Sequence, residues 1–358
     1  MANNNFDLSN LALQCICPNN ELLYDDVGKP SVMVKIPKMT YAQLGVGSST
    51  AVFPAFIVNG IEKDALWISK YQNIVENGRA YSLPGKDPAV SITFDASISR
   101  CTAKGAGWHL MTRWEWALLA LWCKKNGTLP YGNNNYGKDS RESIYKAIPT
   151  LKDGTTICRV ATGTGPLTWS HDRSPAGIWD LNGNVWEWVS GIRLVYGELQ
   201  VMTNNNAAIV NTDHSASSSA WKAINASDGT LITPDGSGTT SGSIKLDFVS
   251  SHCRWDTSIS SKSDSGRGCT FESVDCSSNI SSAAQLVLQA LGLLKVDTTS
   301  GAYEDDYFYF NNGAAERCFF CGGARVSGAW AGLFSPYSSL PRSHSDGSIG
   351  FRSAYYAP

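Results

Sequence analysis

Residues 177–189 read GIWDLNGNVWEWV. Three tryptophans, Trp179, Trp186 and Trp188, flank two turns rich in Asn and Gly. Each indole stabilises a fold by a few kcal/mol when buried, at ~25 cal/mol per Å². So dense an aromatic stretch therefore predicts core. Asp180, Asn182, Gly183 and Asn184 supply turn geometry and side-chain oxygens. Hard cations take such oxygens, which makes Asp180, Asn182 and Asn184 calcium candidates. The same residues can simply hold a turn, and one turn offers fewer ligands than calcium takes.

Upstream, TRWEWALLALWCKKNG, residues 112–127, carries the clearest helix signal. Thr112 and Glu115 make a capping box, Trp116, Leu119, Ala120 and Cys123 recur at helical spacing, and Lys124, Lys125 and Gly127 close it. FDASISRCTAKGAG, residues 94–107, predicts a second helix with Asp95 as N-cap and a stop at Gly105. PSVMVKIPKM alternates like a strand; FPAFIVNG and ALWISKYQN read as two more, joined by a turn at Asn59-Gly60 and beyond. Downstream, about 198–282 is rich in Ser, Thr, Asn and Gly and reads as an insert of surface loops with isolated strand pieces such as SIKLDF. AAQLVLQALGLL predicts a short helix, and RCFFCGGA and IGFRSAYY predict strands.

The 358 residues carry 29 basic and 31 acidic side chains, so a phosphate-dominated partner such as DNA is disfavoured. No apolar run is long enough to span a bilayer, and MANNNFDLSN lacks the basic start and apolar stretch of a secretory signal. The ten cysteines form no small-scaffold disulfide frame and are expected as reduced, buried thiols. Cys318 and Cys321 have CxxC spacing, but Cys253, Cys269 and Cys276 complete no common zinc pattern.

In this order, ALWISKYQN, SITFDASISRCTAKGAGWHLMTRWEWALLA, GIWDLNGNVWEWV and the closing GG…GFRSA resemble the formylglycine-generating enzyme (sulfatase-modifying factor) domain, over about residues 53–356. The resemblance implies an α+β chain with a variant of the C-type lectin fold, loop-rich, with few helices and short strands, closed by pairing of N- and C-terminal strands. The expected layout is an N-terminal arm or edge strands over 1–45 and the domain over 46–358. The insert lies within that domain, and a variable ligand-binding segment occupies about 322–358.

Enzymes of this family hold copper between two cysteines shortly after a Gly-Gly pair, and soft thiolates select Cu(I). Laid on Gly322-Gly323, that pattern meets Ser327 and Gly332, neither a soft ligand. A second enzyme branch uses iron held by histidines on a helical bundle; no such bundle precedes the domain, and the five histidines lack the pairing. The resemblance thus implies a relative that is not an enzyme and needs no catalytic cofactor.

The C-terminal segment is similar to that of the variable proteins of diversity-generating retroelements. They share a Gly-Gly pair, a run with Gly and Ala-Gly, an aromatic, and a closing Ile-Gly-Phe-Arg-Ser. Here these are Gly322-Gly323, Gly328, Ala331-Gly332, Phe334 and Ile349–Ser353. By that resemblance the ligand-binding positions are Ala324, Val326, Ser327, Tyr337, Ser339, Leu340, His344, Asp346, Gly347 and Ser348, each reachable from an Asn codon by changing adenines. Trp330, outside that codon route, joins them as an aromatic anchor. The implied function is variable recognition of a macromolecule, a bacterial surface protein or glycan, by a phage tail or bacterial variable protein. The location is then virion or bacterial cytoplasm, with homo-oligomers in view, no nucleic acid partner and no membrane insertion. The alternatives are a copper-dependent oxidase and a fixed calcium-dependent lectin.

Overall fold

The computed structural model describes residues 7–145 and 147–358. Among them are four α-helices: α1 (Leu8–Ile16), α2 (Phe94–Thr102), α3 (Arg113–Asn126) and α4 (Ser282–Ala290). Helix α3 has the expected capping box at Thr112 and Glu115 and ends at Gly127, whose φ is +66°. Its surroundings exceed the amphipathic expectation: every residue from Arg113 to Leu121 is buried, so the helix runs through the main core rather than along its surface. Helix α2 starts two residues earlier than expected, because the Thr93 hydroxyl, not Asp95, accepts the Ala96 N–H; Asp95 lies inside the first turn.

Three two-stranded sheets and two large ones build the rest. The smaller runs Asn20–Tyr24, Pro30–Pro37, Ala65–Ser69, Ser353–Tyr355, Trp108–Leu110, antiparallel throughout. The stretch before residue 45 thus contributes a short helix, an edge strand, Asn20–Tyr24, and the strand next to it, Pro30–Pro37. The C-terminal strand lies between Ala65–Ser69 and Trp108–Leu110, one strand removed from Pro30–Pro37. Of the two strands expected on either side of Asn59-Gly60, only the second is full length. The first begins as a 3-10 turn, Pro54–Phe56, and the Asn-Gly turn joins a two-residue hairpin, Ile57–Val58 with Ile61–Glu62.

The larger sheet has twelve strands around the long central strand Trp186–Val195. Its 198–282 part overturns the expectation of surface loops. Glu198–Met202, Trp221–Ile224, Lys245–Val249, His252–Asp256 and Arg267–Thr270 are all strands of this sheet. Leu199, Val201, Ile224, Leu246 and Trp255 lie in the main core. Such strands are short and joined by Ser- and Thr-rich turns, so turn residues dominate the composition while alternation runs only a few residues at a time. The sheet also curls until its ends approach: Arg267–Thr270 opens the strand order and His252–Asp256 lies next to last, yet the Cys253 N–H donates to the Cys269 sulfur at 3.2 Å.

The closing IGFRSAYY is two strands, not one. Ile349–Phe351 pairs parallel with Trp186–Trp188 in the large sheet, and Ser353–Tyr355 pairs in the small one. Arg352, fully buried, is the swivel between them. Its guanidinium donates to both Glu187 carboxylate oxygens at 2.9 Å and to the Ser69 and Trp179 carbonyls at 2.8 Å. The Trp-Glu-Trp and Gly-Phe-Arg motifs are therefore two halves of one buried ion pair.

Candidate ligand-binding surface

A second core lies on the other side of the large sheet. It comprises Phe94 of α2, Trp186, Trp188, Cys318, Phe320, Ile349 and Phe351. Both tryptophans are buried as expected, Trp188 fully, with its indole N–H donating to the Ile92 carbonyl at 3.0 Å. The segment from Gly322 onward is laid over this core and the main one. Phe334, Ile349 and Phe351 point inward and are at most 1% exposed. Gly332 admits the Asp306 carboxyl into the space a Cβ would take, and Gly350 does the same for the Ala89 carbonyl. Backbone bonds pin the loop from outside: Tyr136 N–H to the Arg325 carbonyl at 2.9 Å, and Gly328 N–H to the Asn134 carbonyl at 2.8 Å.

Between these anchors the expected ligand-binding positions divide. Val326 and Trp330 are exposed, at 57% and 52%. Gly347 is also exposed, and Ser327, Ser339, His344, Asp346 and Ser348 are half-buried. Ala324 departs from the expectation of a surface position: it is fully buried in the second core, and its N–H donates to the Ser327 hydroxyl at 3.0 Å. Tyr337 and Leu340 form the rim of that core. They lie on a regular strand, Pro336–Leu340, where the sequence suggested a loop. The Tyr337 ring sits 4.2 Å from that of Trp186, and burial pushes its phenol up in pKa. Asp346 ties its own loop, accepting from Ser348 N–H at 2.7 Å and facing His344 at 2.9 Å. Trp186 joins the groups, since its ring meets Tyr337 and its backbone N–H donates to the Ser348 carbonyl at 2.8 Å.

Two further residues of this surface escaped the sequence reading. Tyr307 stacks on Trp330 with centroids 4.7 Å apart, and Tyr309 lies 5.2 Å from Tyr337. Both are half-buried on one face of Tyr307–Phe310, while Phe308 and Phe310 face the main core. Gly268 on the neighbouring strand, Arg267–Thr270, and Gly266 just before it leave room for the Tyr307 and Tyr309 rings. The signal was the period-two Tyr-Phe-Tyr-Phe run, set apart by its place outside residues 322–358.

The metal candidates are occupied otherwise. The Asn184 side-chain oxygen accepts from Asn133 at 3.1 Å and from the Val160 N–H at 3.0 Å. Asn182 donates to the Pro130 carbonyl at 2.9 Å and accepts from Asn134 at 3.3 Å. Asp180, with φ +62°, accepts from the Gly163 N–H at 2.8 Å and leaves its other oxygen buried without a partner. Burial pushes its carboxyl up to about 6. Among the described residues no three His, Cys, Asp or Glu side chains group as a metal site. At the oxidase's two cysteine positions, the Ser327 hydroxyl caps a turn and Gly332 faces Asp306, whose carboxyl burial raises well above the usual range. Cys318 and Cys321, three apart on a strand, face opposite cores. They cannot share an ion. Cys321 accepts from Arg113 at 3.0 Å, yet burial still pushes its thiol up to about 11.

Residues 21–220 match the sulfatase-modifying factor enzyme 1-like domain, more than half of the chain. The protein belongs to that family. No curated protein matches it. Among solved structures it is similar to PvdO from Pseudomonas aeruginosa, at 12% identity over 92% of this chain and 95% of that one, with a TM-score of 0.36. It is also similar to Treponema denticola variable protein 1, at 10% identity over 94% and 99%, TM-score 0.34. A third likeness is to the Major Tropism Determinant U1 variant, at 11% identity over 91% of this chain and 63% of that one, TM-score 0.30. Among the described residues no helix is long and apolar enough to cross a membrane.

Proposed function

We propose that this protein is a variable ligand-binding member of its family, diversified by a retroelement, that displays its C-terminal segment to a macromolecular ligand and catalyses no reaction. One observation supports the reading: within residues 322–353 buried anchors are interleaved with positions that reach the surface wholly or in part, Ser327, Ser339, His344, Asp346 and Ser348 being half-buried. Phe334, Ile349, Phe351 and Arg352 are buried, whereas Val326, Trp330 and Gly347 are exposed. Substitutions at exposed positions usually change stability by under ~0.5 kcal/mol, so such a surface can be rewritten on a fixed frame. Trp330, Tyr307, Tyr309 and Tyr337 supply rigid amphipathic area, and Ser339 and His344 supply adaptable polar contacts, the division of labour seen in antibody loops. A bacterial surface protein or glycan fits that chemistry, with display on a phage tail or within a bacterium. Affinity at one site would be modest and raised by multivalent display.

The deciding observation is the neighbouring DNA. A reverse transcriptase gene beside a near-copy of the segment for residues 322–353, differing mainly at adenines, is expected. Its absence, together with formation of formylglycine in a cysteine peptide on incubation with copper and a reductant, would put the oxidase reading in its place. Calcium-dependent binding to a sugar column, lost on Asn182→Ala, would favour the fixed lectin.

A further inference from the structure

The large sheet closes on itself at a seam that no ladder of backbone hydrogen bonds spans. On one side is His252–Asp256, on the other Arg267–Thr270. What meets there is a pair of thiols. The Cys253 and Cys269 sulfurs are 3.0 Å apart, with the cysteines 16 positions apart in sequence. Two unbonded sulfurs in ordinary contact stand farther apart, whereas a disulfide closes to ~2.0 Å. An inward movement of about an ångström would join them, and the neighbouring strands already set the side chains face to face. We propose that Cys253 and Cys269 are a redox-active pair that forms a disulfide in the folded protein and staples the seam of the sheet.

The local chemistry assigns the roles. Cys269 is the less buried, at 7% against 0% for Cys253. Its sulfur accepts the Cys253 backbone N–H at 3.2 Å. That bond and the Cys253 thiol together hold the Cys269 pKa below its ordinary value, while burial holds Cys253 well above. Cys269 is thus the nucleophile and Cys253 the resolving thiol. With hydrogen peroxide as oxidant, the Cys269 thiolate attacks one oxygen and breaks the O–O bond. The sulfur becomes a sulfenic acid, and the departing hydroxide takes a proton to become water. The Cys253 sulfur then displaces the sulfenic hydroxyl, the S–S bond forms, and that hydroxyl leaves with the Cys253 proton as a second water. Two thiols have lost two electrons and two protons to one peroxide.

The consequence reaches the binding surface. Arg267–Thr270, with Gly268 and the preceding Gly266 beneath Tyr307 and Tyr309, pairs antiparallel with their strand. It is otherwise held on that one edge, and the loop leading to it, 257–266, is mostly Ser, Lys, Asp and Gly. A staple at Cys269 would fix the edge of the tyrosine platform whatever ligand it serves.

The test uses the full chain, folded and free of reductant, treated with a small excess of hydrogen peroxide and mapped by mass spectrometry without reduction. A Cys253–Cys269 linked peptide two hydrogens lighter than its parts is expected. Tm should rise by ~3–6 °C, reversed by dithiothreitol and absent in Cys253→Ala and Cys269→Ala. In Cys253→Ala, a persistent sulfenic acid at Cys269, trapped by dimedone, is expected. Both thiols remaining open to alkylation after denaturation would overturn the proposal. So would linkage through other cysteines, or a link that leaves Tm unchanged. The alanine variants leave about one thiol's volume empty; should either fail to fold, the wild-type peptide map alone decides.

Discussion

Arg352 and Glu187 tie together the two motifs that prompted the family resemblance, and the tie is electrostatic. Both are buried, so each charge depends on the other and on the carbonyls around it. Arg352→Leu should cost ~3–5 kcal/mol, because it strands a buried carboxylate. The double replacement with Glu187→Leu should cost clearly less than the sum of the singles, measurable in a urea double-mutant cycle. Asp180 titrates the other way. Its pKa is raised to about 6 in the fold from an ordinary 3.8 by burial. The folded state therefore holds this proton more tightly than the unfolded one. The stability it contributes is full below about 4 and is lost as pH rises through about 6. Asp180→Asn keeps the acceptor for Gly163 and removes the charge. Its Tm should exceed that of the wild type at pH 8, with the gap closing by pH 4. His171 runs opposite: burial lowers it to about 4, and its Nδ1 accepts the Ile178 N–H at 2.8 Å. The wild type should lose stability as pH falls from about 6.5 to 4, and His171→Asn, which retains an acceptor there, should lose less over the same range in a Tm titration.

At the scale of the strand, Pro336–Leu340 turns some side chains inward and leaves others half-buried. Tyr337 closes the second core against Trp186, so Tyr337→Ala should cost ~2–4 kcal/mol. Val326, Trp330, Ser339 and His344 replaced together by alanine should move Tm by no more than a few degrees while abolishing ligand binding. If calorimetry finds the quadruple variant as unstable as Tyr337→Ala, those side chains are packing and the recognition surface lies elsewhere. The sequence separated these roles only partly. Helix α3 was legible to its caps, because a capping box and a terminal Gly are local chemistry. The anchors Gly332, Phe334 and Phe351 were legible through the resemblance. Ala324 and Tyr337 were not, because they pack into a core assembled from distant parts of the chain, Trp186, which meets the Tyr337 ring, lying more than a hundred positions away. The strand character of 336–340 was hidden likewise: Pro-Tyr-Ser-Ser-Leu has little intrinsic preference, and its partners on both sides, Arg317–Cys321 and Tyr307–Phe310, impose the extended form. Tyr307 and Tyr309 were missed since nothing local links them to the terminal segment.

Over the whole molecule, residues 198–282 are structural rather than appended. They provide both ends of the seam and much of the main core. A chain with 203–280 replaced by a short Gly-Ser linker should lose its cooperative melting transition and bind a dye for exposed apolar surface; a sharp melt near the wild-type Tm would return this stretch to the status of an ornament. The swivel at Arg352 has a consequence for synthesis. Ile349–Phe351 and Ser353–Tyr355 emerge from the ribosome after every strand they pair with, and their partners, Ala65–Ser69 among them, wait nearly the length of the chain. Until then the small sheet lacks the strand that joins Ala65–Ser69 to Trp108–Leu110, and the large one lacks its parallel partner for Trp186–Trp188. Under the proposed rewriting, a copy carrying a stop codon or a frameshift anywhere in 322–348 would never supply these strands, would remain unlatched, and would be cleared by proteolysis before it could present a defective surface. Translation itself would thus act as a proofreader, passing only those variants in which the reading frame has survived.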